Sequence, residues 1–391
     1  MDDLLTGDLY RFEDLLPDSE REILHRVRAF LRAEVAPVAN EYWAKAEFPE
    51  HLVRGYADLG IAGLSYEECP GETPSSLLSG FLAMEMAHTD PSMATFYGVH
   101  TGLAMGSIAA CGSPEQRQRW LPAMGRMEKI GAFALTEPEG GSDVAGGMRT
   151  TARRDGDEWV LDGAKRWIGN ATFADHVVVW AKDTGDGKVK GFVVDKDTPG
   201  FTASKIEHKI ALRIVQNADL RFEGCRVPEA NRLQEAHSFR DTAGILRRTR
   251  SGVAWQAVGV MLAAYEIALE YAGKRQQFGR PIAGFQLVQD LLVRMLGNVT
   301  ACFGMVVRLA QLQDAGTYRD EHSALAKAYC TTRMRETVGW ARELLAGNGI
   351  VLDYDIGRFV ADAEALYSYE GTREINTLIV GRAVTGVGAF V

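Results

Sequence analysis

Cysteine is scarce in this chain, and what there is stands apart. Cys69, Cys111, Cys225, Cys302 and Cys330 form no CxxC pair, and no histidine lies at a metal-ligand spacing from them. That argues against a disulfide framework or a thiolate metal site and for small buried thiols in a reducing compartment. Long apolar runs are missing too: no uninterrupted stretch is long enough to cross a bilayer. The acidic start Met1-Asp2-Asp3-Leu4-Leu5 lacks the pattern of a secretory signal, and Gly388-Ala389-Phe390-Val391 is not a peroxisomal address. The expectation is a cytoplasmic protein without a membrane partner. Positive charge is in deficit, with 43 Lys and Arg against 52 Asp and Glu, a net charge of −9 and a pI near 5.5. A nucleic acid would be repelled by such a surface, although a local basic patch for a phosphate-bearing ligand stays open. Internal repeats and low-complexity tracts are absent.

What remains is ordinary globular material. At 391 residues and 46% hydrophobic content the chain exceeds what one core usually holds, so two or three domains are expected. Residues 1–130 carry helical spacing. Ser19 with Glu22 reads as a capping box ahead of Ile23, Leu24, Val27, Phe30 and Leu31. Ser113-Pro114-Glu115-Gln116 reads as another, and Asp90-Pro91 as a break between helices. Between 131 and 238 short β-branched runs alternate with turn signals, notably Asp155-Gly156 and Gly185-Asp186-Gly187, which predicts a compact β domain of barrel or sandwich type. From 239 to 391 helical spacing returns in five segments, an antiparallel bundle. The fold class is therefore α+β, in the order α, β, α.

Several stretches have the makings of a site. The run Ala365-Leu366-Tyr367-Ser368-Tyr369-Glu370-Gly371-Thr372 sets one carboxylate between an apolar helix and a glycine, with Thr372 placed to cap the next helix. A carboxylate at such a junction is either salt-bridged or desolvated into a working base. Leu135 to Asp143, with Thr136, Gly141 and Ser142, is either a simple turn or a loop admitting a flat or phosphorylated ligand. Trp167-Ile168-Gly169 is either core or an indole against a planar cofactor. Arg275 to Gly279, with Phe285 and Gln286, is either a helix cap or a pyrophosphate contact. The run Arg247-Arg248-Thr249-Arg250 is either a solvated face or a partner for CoA-type phosphates.

In their order these stretches resemble the acyl-CoA dehydrogenase and oxidase flavoproteins over nearly the whole chain. The landmarks are Leu-Thr-Glu-Pro at 135–138 followed by Gly141-Ser142-Asp143, then Trp167-Ile168 and Val227-Pro228. Arg275 with Phe278-Gly279, Leu344-Leu345 with Gly347-Asn348-Gly349, and Tyr369-Glu370-Gly371-Thr372 complete the set. Glutaryl-CoA dehydrogenases and plant short-chain acyl-CoA oxidases are most similar, the latter through Lys165 to Asn170, Ile214 to Asn217 and Ala254-Trp255-Gln256. The resemblance implies an N-terminal helical domain, a middle β-barrel domain and a C-terminal four-helix-bundle domain. It implies Glu370 as the base that removes an α-proton from an acyl-CoA thioester while the β-hydrogen leaves as hydride to FAD, giving a trans-2-enoyl-CoA. The thioester oxygen would be polarised by a flavin ribityl hydroxyl and the Glu370 N–H.

By the same resemblance Phe133, Leu135, Thr136, Gly141 and Ser142 contact the flavin, and Trp167, Ile168 and Gly169 close its other side. Arg275, Phe278, Phe285, Gln286, Glu343 and Gly347 reach the ADP half of a FAD held mainly by a neighbouring subunit of a homotetramer. Thr372 and Glu374 add contacts after the base. Ser142, Arg250, Tyr369, Gly371 and Ala94 belong to the acyl-CoA side. Three departures stand out: Gly169 where many members have Thr, Glu at 343 and 374 where many have Gln, and Ala94 where glutaryl-specific enzymes carry Arg. No Lys or Arg occurs between Arg54 and Arg117, so an uncharged short- or medium-chain acyl group is expected. Electron-transferring flavoprotein is the expected acceptor, with O2 the oxidase alternative. A nitroalkane-oxidising or aromatic-hydroxylating relative, and a scaffold without cofactor, are the remaining rivals.

Overall fold

The computed structural model describes residues 5–389. The N-terminal helices follow the expected spacing, with one difference at the start. Helix Asp18–Phe30 begins behind Pro17, whose carbonyl accepts from the Arg21 N–H at 2.9 Å, so Ser19 is already inside the first turn and caps nothing. Glu20 reaches instead to Ser75, accepting from its N–H and hydroxyl at 2.7 and 2.6 Å. Ser75 in turn caps helix Ser76–Thr89. At Ser113 both halves of the predicted capping box are present, at 3.0 and 3.3 Å. Asp90 ends one helix and caps Pro91–Gly98, accepting from the Met93 N–H at 2.7 Å.

The middle region is a curled seven-stranded sheet, with β1 Gly131–Ala134, β2 Thr151–Asp155, β3 Glu158–Ile168, β4 His176–Asp183, β5 Val189–Asp195, β6 Phe201–Lys205 and β7 Ala218–Pro228. Strand β4 is its axis: β1 and β2 share one edge in parallel, and β5 pairs antiparallel along the other. From β2 the order runs antiparallel through β3 and β7 to β6. The turns fall where glycine was expected, with Gly156 and Gly187 at positive φ. Leu161, Val179, Phe192 and Phe222 fill the inner face.

Helices Phe239–Lys274, Gln286–Asp314, Asp320–Leu345, Ile356–Ser368 and Arg373–Thr385 complete the chain. The first is central, packed between Ser76–Thr89 and Asp320–Leu345, and its side chains join one core with the N-terminal helices. It and Gln286–Asp314 have the length and apolar content of a bilayer span, but 78% of that window in the first is buried against neighbouring helices, as in a core helix, and 33% in the second. Asp362 ties the three regions together: its Oδ1 accepts from Trp43 Nε1 at 2.8 Å and from the Leu212 N–H at 2.6 Å. All five cysteines are free and buried.

Candidate active site

A cleft of about 1370 Å³ opens where the three regions meet. On its middle-domain side the chain leaves β1 through Leu135 and Thr136 into an exposed loop carrying Gly141 and Ser142. That loop is braced from beneath. Glu137 is buried and accepts from the N–H groups of Arg149 and Thr150 at 2.7 and 2.9 Å and from Lys165 Nζ at 2.9 Å. Lys165, wholly buried on β3, also donates to the Leu135 carbonyl at 3.0 Å. Burial holds its pKa down at about 8, while the same cation and the hydrogen bonds keep Glu137 below the usual carboxylate range despite its own burial.

At the end of β3, Trp167 and Asn170 both adopt positive φ. Asn170 is pinned through Nδ2 to the Phe96 carbonyl at 3.1 Å, and Asn217 Nδ2 donates to the Trp167 carbonyl at 3.3 Å. This strained turn leaves the Trp167 indole 52% exposed on the cleft. A large indole held out of the core beside a glycine-bearing loop suits a flat aromatic ligand. Gly169 is buried beneath it, and a Cβ there would stand 3.3 Å from Val99 Cγ2, so the threonine common at this position would crowd its neighbour.

From the other side comes Glu370. Helix Ile356–Ser368 stops before Tyr369, and Glu370 itself takes the left-handed conformation (φ 55°), followed by Gly371 (φ 87°). The sequence pointed to Gly371 as the stop, but the chain needs two such residues, and a glutamate bears the strain of one. Thr372 caps the next helix as expected, accepting from the Ile375 N–H at 3.3 Å. Glu370 Oε2 accepts from Thr249 Oγ1 at 2.8 Å, and its carbonyl from Arg250 Nε at 3.4 Å. Burial raises the carboxyl above its ordinary pKa, while the Thr249 hydrogen bond and the charges of Arg250 and Lys327 pull it back.

Tyr369, Gln256 and Ala94 give part of the lining an uncharged surface. Tyr369 donates from its hydroxyl to Gln256 Oε1 at 2.7 Å, and Gln256 Nε2 reaches the Ala94 carbonyl at 3.5 Å. Lys209 also borders the cleft, but its ammonium is taken up by the Leu212 and Val215 carbonyls and Asn217 Oδ1, at 2.6 to 2.7 Å.

Phe133, Leu135, Thr136, Gly141, Ser142, Trp167, Ile168, Gly169, Ala94, Arg250, Tyr369, Glu370, Gly371 and Thr372 thus all line one cavity. The others do not. Arg275 ends the central helix, and Phe278 is 92% exposed in a tight hairpin pairing Gln276–Gln277 with Arg280–Pro281. Phe285, edge-on to Phe278 at 6.0 Å, and the exposed Gln286 start the next helix, and Glu343 and Gly347 are exposed at the far end of another. Glu374 is exposed and paired with Arg373 at 2.7 Å. Two contributors were missed as individuals: Thr249, read only as part of a basic run, and Lys327, a lone lysine in a helix.

Profiles of the acyl-CoA dehydrogenase N-terminal, middle and C-terminal domains match residues 17–128, 132–225 and 239–385. An acyl-CoA dehydrogenase of Bacillus subtilis (strain 168) is 34% identical over 92% of this chain and 96% of its own length. Among solved structures, a glutaryl-CoA dehydrogenase from Mycobacterium smegmatis superposes with a TM-score of 0.94 at 38% identity, covering 98% of this chain and 99% of that one. A second glutaryl-CoA dehydrogenase from M. smegmatis, in complex with FADH2, also reaches 0.94, at 33% identity and 98% of both chains. The chain belongs to the acyl-CoA dehydrogenase family of oxidoreductases, and FAD is its cofactor. The exposed indole and the glycine-bearing loop in the cleft fit the flavin of that cofactor.

Proposed function

We propose that this protein oxidises an uncharged short- or medium-chain acyl-CoA between its α and β carbons, with Glu370 as base. The observation that carries the reading is the shared cavity. A half-buried carboxylate from the C-terminal domain and the exposed Trp167 and Ser142 of the middle domain border the same cleft. In the reaction the α C–H bond breaks, its proton passes to a Glu370 oxygen, and the electron pair left behind forms the carbon–carbon double bond as the β-hydrogen departs with its own pair. FAD, when bound, supplies the acceptor for that hydride. Thr249 steadies the carboxylate, and Arg250 sets a positive charge beside it. Electron-transferring flavoprotein, which takes electrons singly from reduced flavin, is the proposed acceptor.

The two M. smegmatis structures are named for glutaryl-CoA, whose distal carboxylate needs a cation, whereas another similar structure is a butyryl-CoA dehydrogenase from Megasphaera elsdenii. Here the acyl end presents Ala94, Tyr369 and Gln256, and the nearby Lys209 is engaged by three oxygens. Leaving a carboxylate unpaired there costs several kcal/mol. Butyryl-CoA is therefore expected to reduce the bound flavin faster than glutaryl-CoA in anaerobic stopped flow, and faster glutaryl turnover would refute the neutral pocket. Glu370→Gln is expected to keep FAD and ligand binding while losing about 10²–10⁴-fold in reduction rate. Near-parental reduction in that variant removes Glu370 from the mechanism. Hydrogen peroxide formed at the rate of turnover without an added acceptor would replace the dehydrogenase reading with an oxidase.

A further inference from the structure

Lys327, on helix Asp320–Leu345, has no solvent exposure, and no carboxylate lies within ion-pair distance of it among the described residues. A buried cation without a counter-ion is expensive, so the position asks for a reason. Its Nζ donates to the Tyr367 carbonyl at 2.7 Å and to the Gly371 carbonyl at 2.8 Å. Those two carbonyls bracket Glu370, three residues before it and one after. The bracketed segment includes the left-handed pair Glu370 and Gly371, a conformation that a non-glycine residue holds only when its surroundings impose it. Asn376 Nδ2 adds a second hold on the Gly371 carbonyl at 2.9 Å.

Resting on the reading of Glu370 as base, we infer that Lys327 is its positioning residue: its ammonium clamps the turn that aims the carboxylate into the cleft and sets a buried positive charge near it. Hydrogen bonds account for the first task and charge for the second. The ionised and titratable groups facing the pair are Arg250 from the central helix, Glu374 from the following helix and Tyr369 beside the base. Of these only Arg250 shares the sign of Lys327, and it reaches the Glu370 carbonyl at 3.4 Å. Burial holds the Lys327 pKa down at about 8, so at neutral pH the ammonium form prevails.

The test uses the FAD-loaded protein and three variants, Lys327→Met, Lys327→Gln and Lys327→Arg, with Glu370→Gln alongside. Flavin reduction by butyryl-CoA is followed anaerobically from pH 5.5 to 9.5. In Lys327→Met and Lys327→Gln the rate at pH 7 is expected to fall at least about tenfold, with the acid limb of the profile moved to higher pH and much of the loss recovered at pH 9. Lys327→Gln keeps a donor for the carbonyls without the charge, so a moved limb there isolates the electrostatic task. Lys327→Arg keeps the charge and is expected to hold the parental limb. An infrared titration of the apoprotein, with Glu370→Gln as blank, reads the carboxyl directly and serves any variant that fails to retain FAD. A parental limb and carboxyl titration in both neutral variants overturns the inference. Should Glu370→Gln itself reduce at the parental rate, the assignment of the base falls instead.

Discussion

Glu370 is held by three kinds of contact: a hydroxyl on its carboxylate, a guanidinium on its carbonyl, and an ammonium across the turn it occupies. Each was hard to read from sequence for the same reason. Thr249 lies 121 positions upstream of Glu370 and on another helix, and a threonine in a basic run carries no local mark of its partner. The motif around the base was legible because chain neighbours supply it; its environment was not, because distant helices do. Thr249→Val removes the hydrogen bond that Thr249 donates to Oε2, so the folded-state pKa of Glu370 should rise further above the ordinary carboxylate value. A base must be ionised to act, and the acid limb of the reduction rate should therefore move to higher pH, with a loss of roughly fivefold at pH 6 that closes by pH 9. An unmoved limb would mean that the bond is absent when substrate is bound.

At the scale of single elements, the signals that sequence gave well were those in which one residue's chemistry settles a local conformation. Ser113 with Gln116 capped a helix, Asp90-Pro91 broke one, and Gly156 and Gly187 turned two hairpins. Ser19 with Glu22 misled because Pro17, just before, had already fixed where the helix could begin, and Glu20 served a distant cap. The loop after β1 shows a second limit. Its glycines and hydroxyls were visible as a binding loop, but the Glu137–Lys165 pair that supports it joins the loop to β3 and is buried. Removing one partner of such a pair strands the other. Lys165→Met should lower stability by about 3 kcal/mol and loosen FAD, measurable as a fall in Tm and in flavin content. A variant as stable as the parent would show that the two backbone donors alone satisfy Glu137.

For the molecule as a whole, the order α, β, α followed from where periodicity changed, and the long helices matched their spacing closely. How the parts lock was not legible, since the lock is a buried acid, Asp362, that gathers Trp43, Leu212 and its own helix at one point. Burial and the nearby Asp90 raise its pKa to about 7. A carboxyl raised in the folded state contributes stability that is present below its unfolded pKa and lost as pH climbs towards 7. Asp362→Asn keeps an acceptor oxygen without the charge. It should melt higher than the parent at pH 8, with the gap shrinking as pH falls to 5, in paired calorimetric scans. An equal gap at both pH values would exclude Asp362 as the titrating group.

The hairpin around Phe278 has one more consequence. Phe278 stands in water against a half-buried Phe285, and neither borders the cavity that its own chain lines. If the adenine end of the dinucleotide is gripped by that hairpin on another copy, the colour of the protein becomes a matter of mass action between subunits. Diluting the yellow solution without free FAD should then bleach it and release a fluorescent supernatant, and concentrating it with the cofactor should bring the colour back.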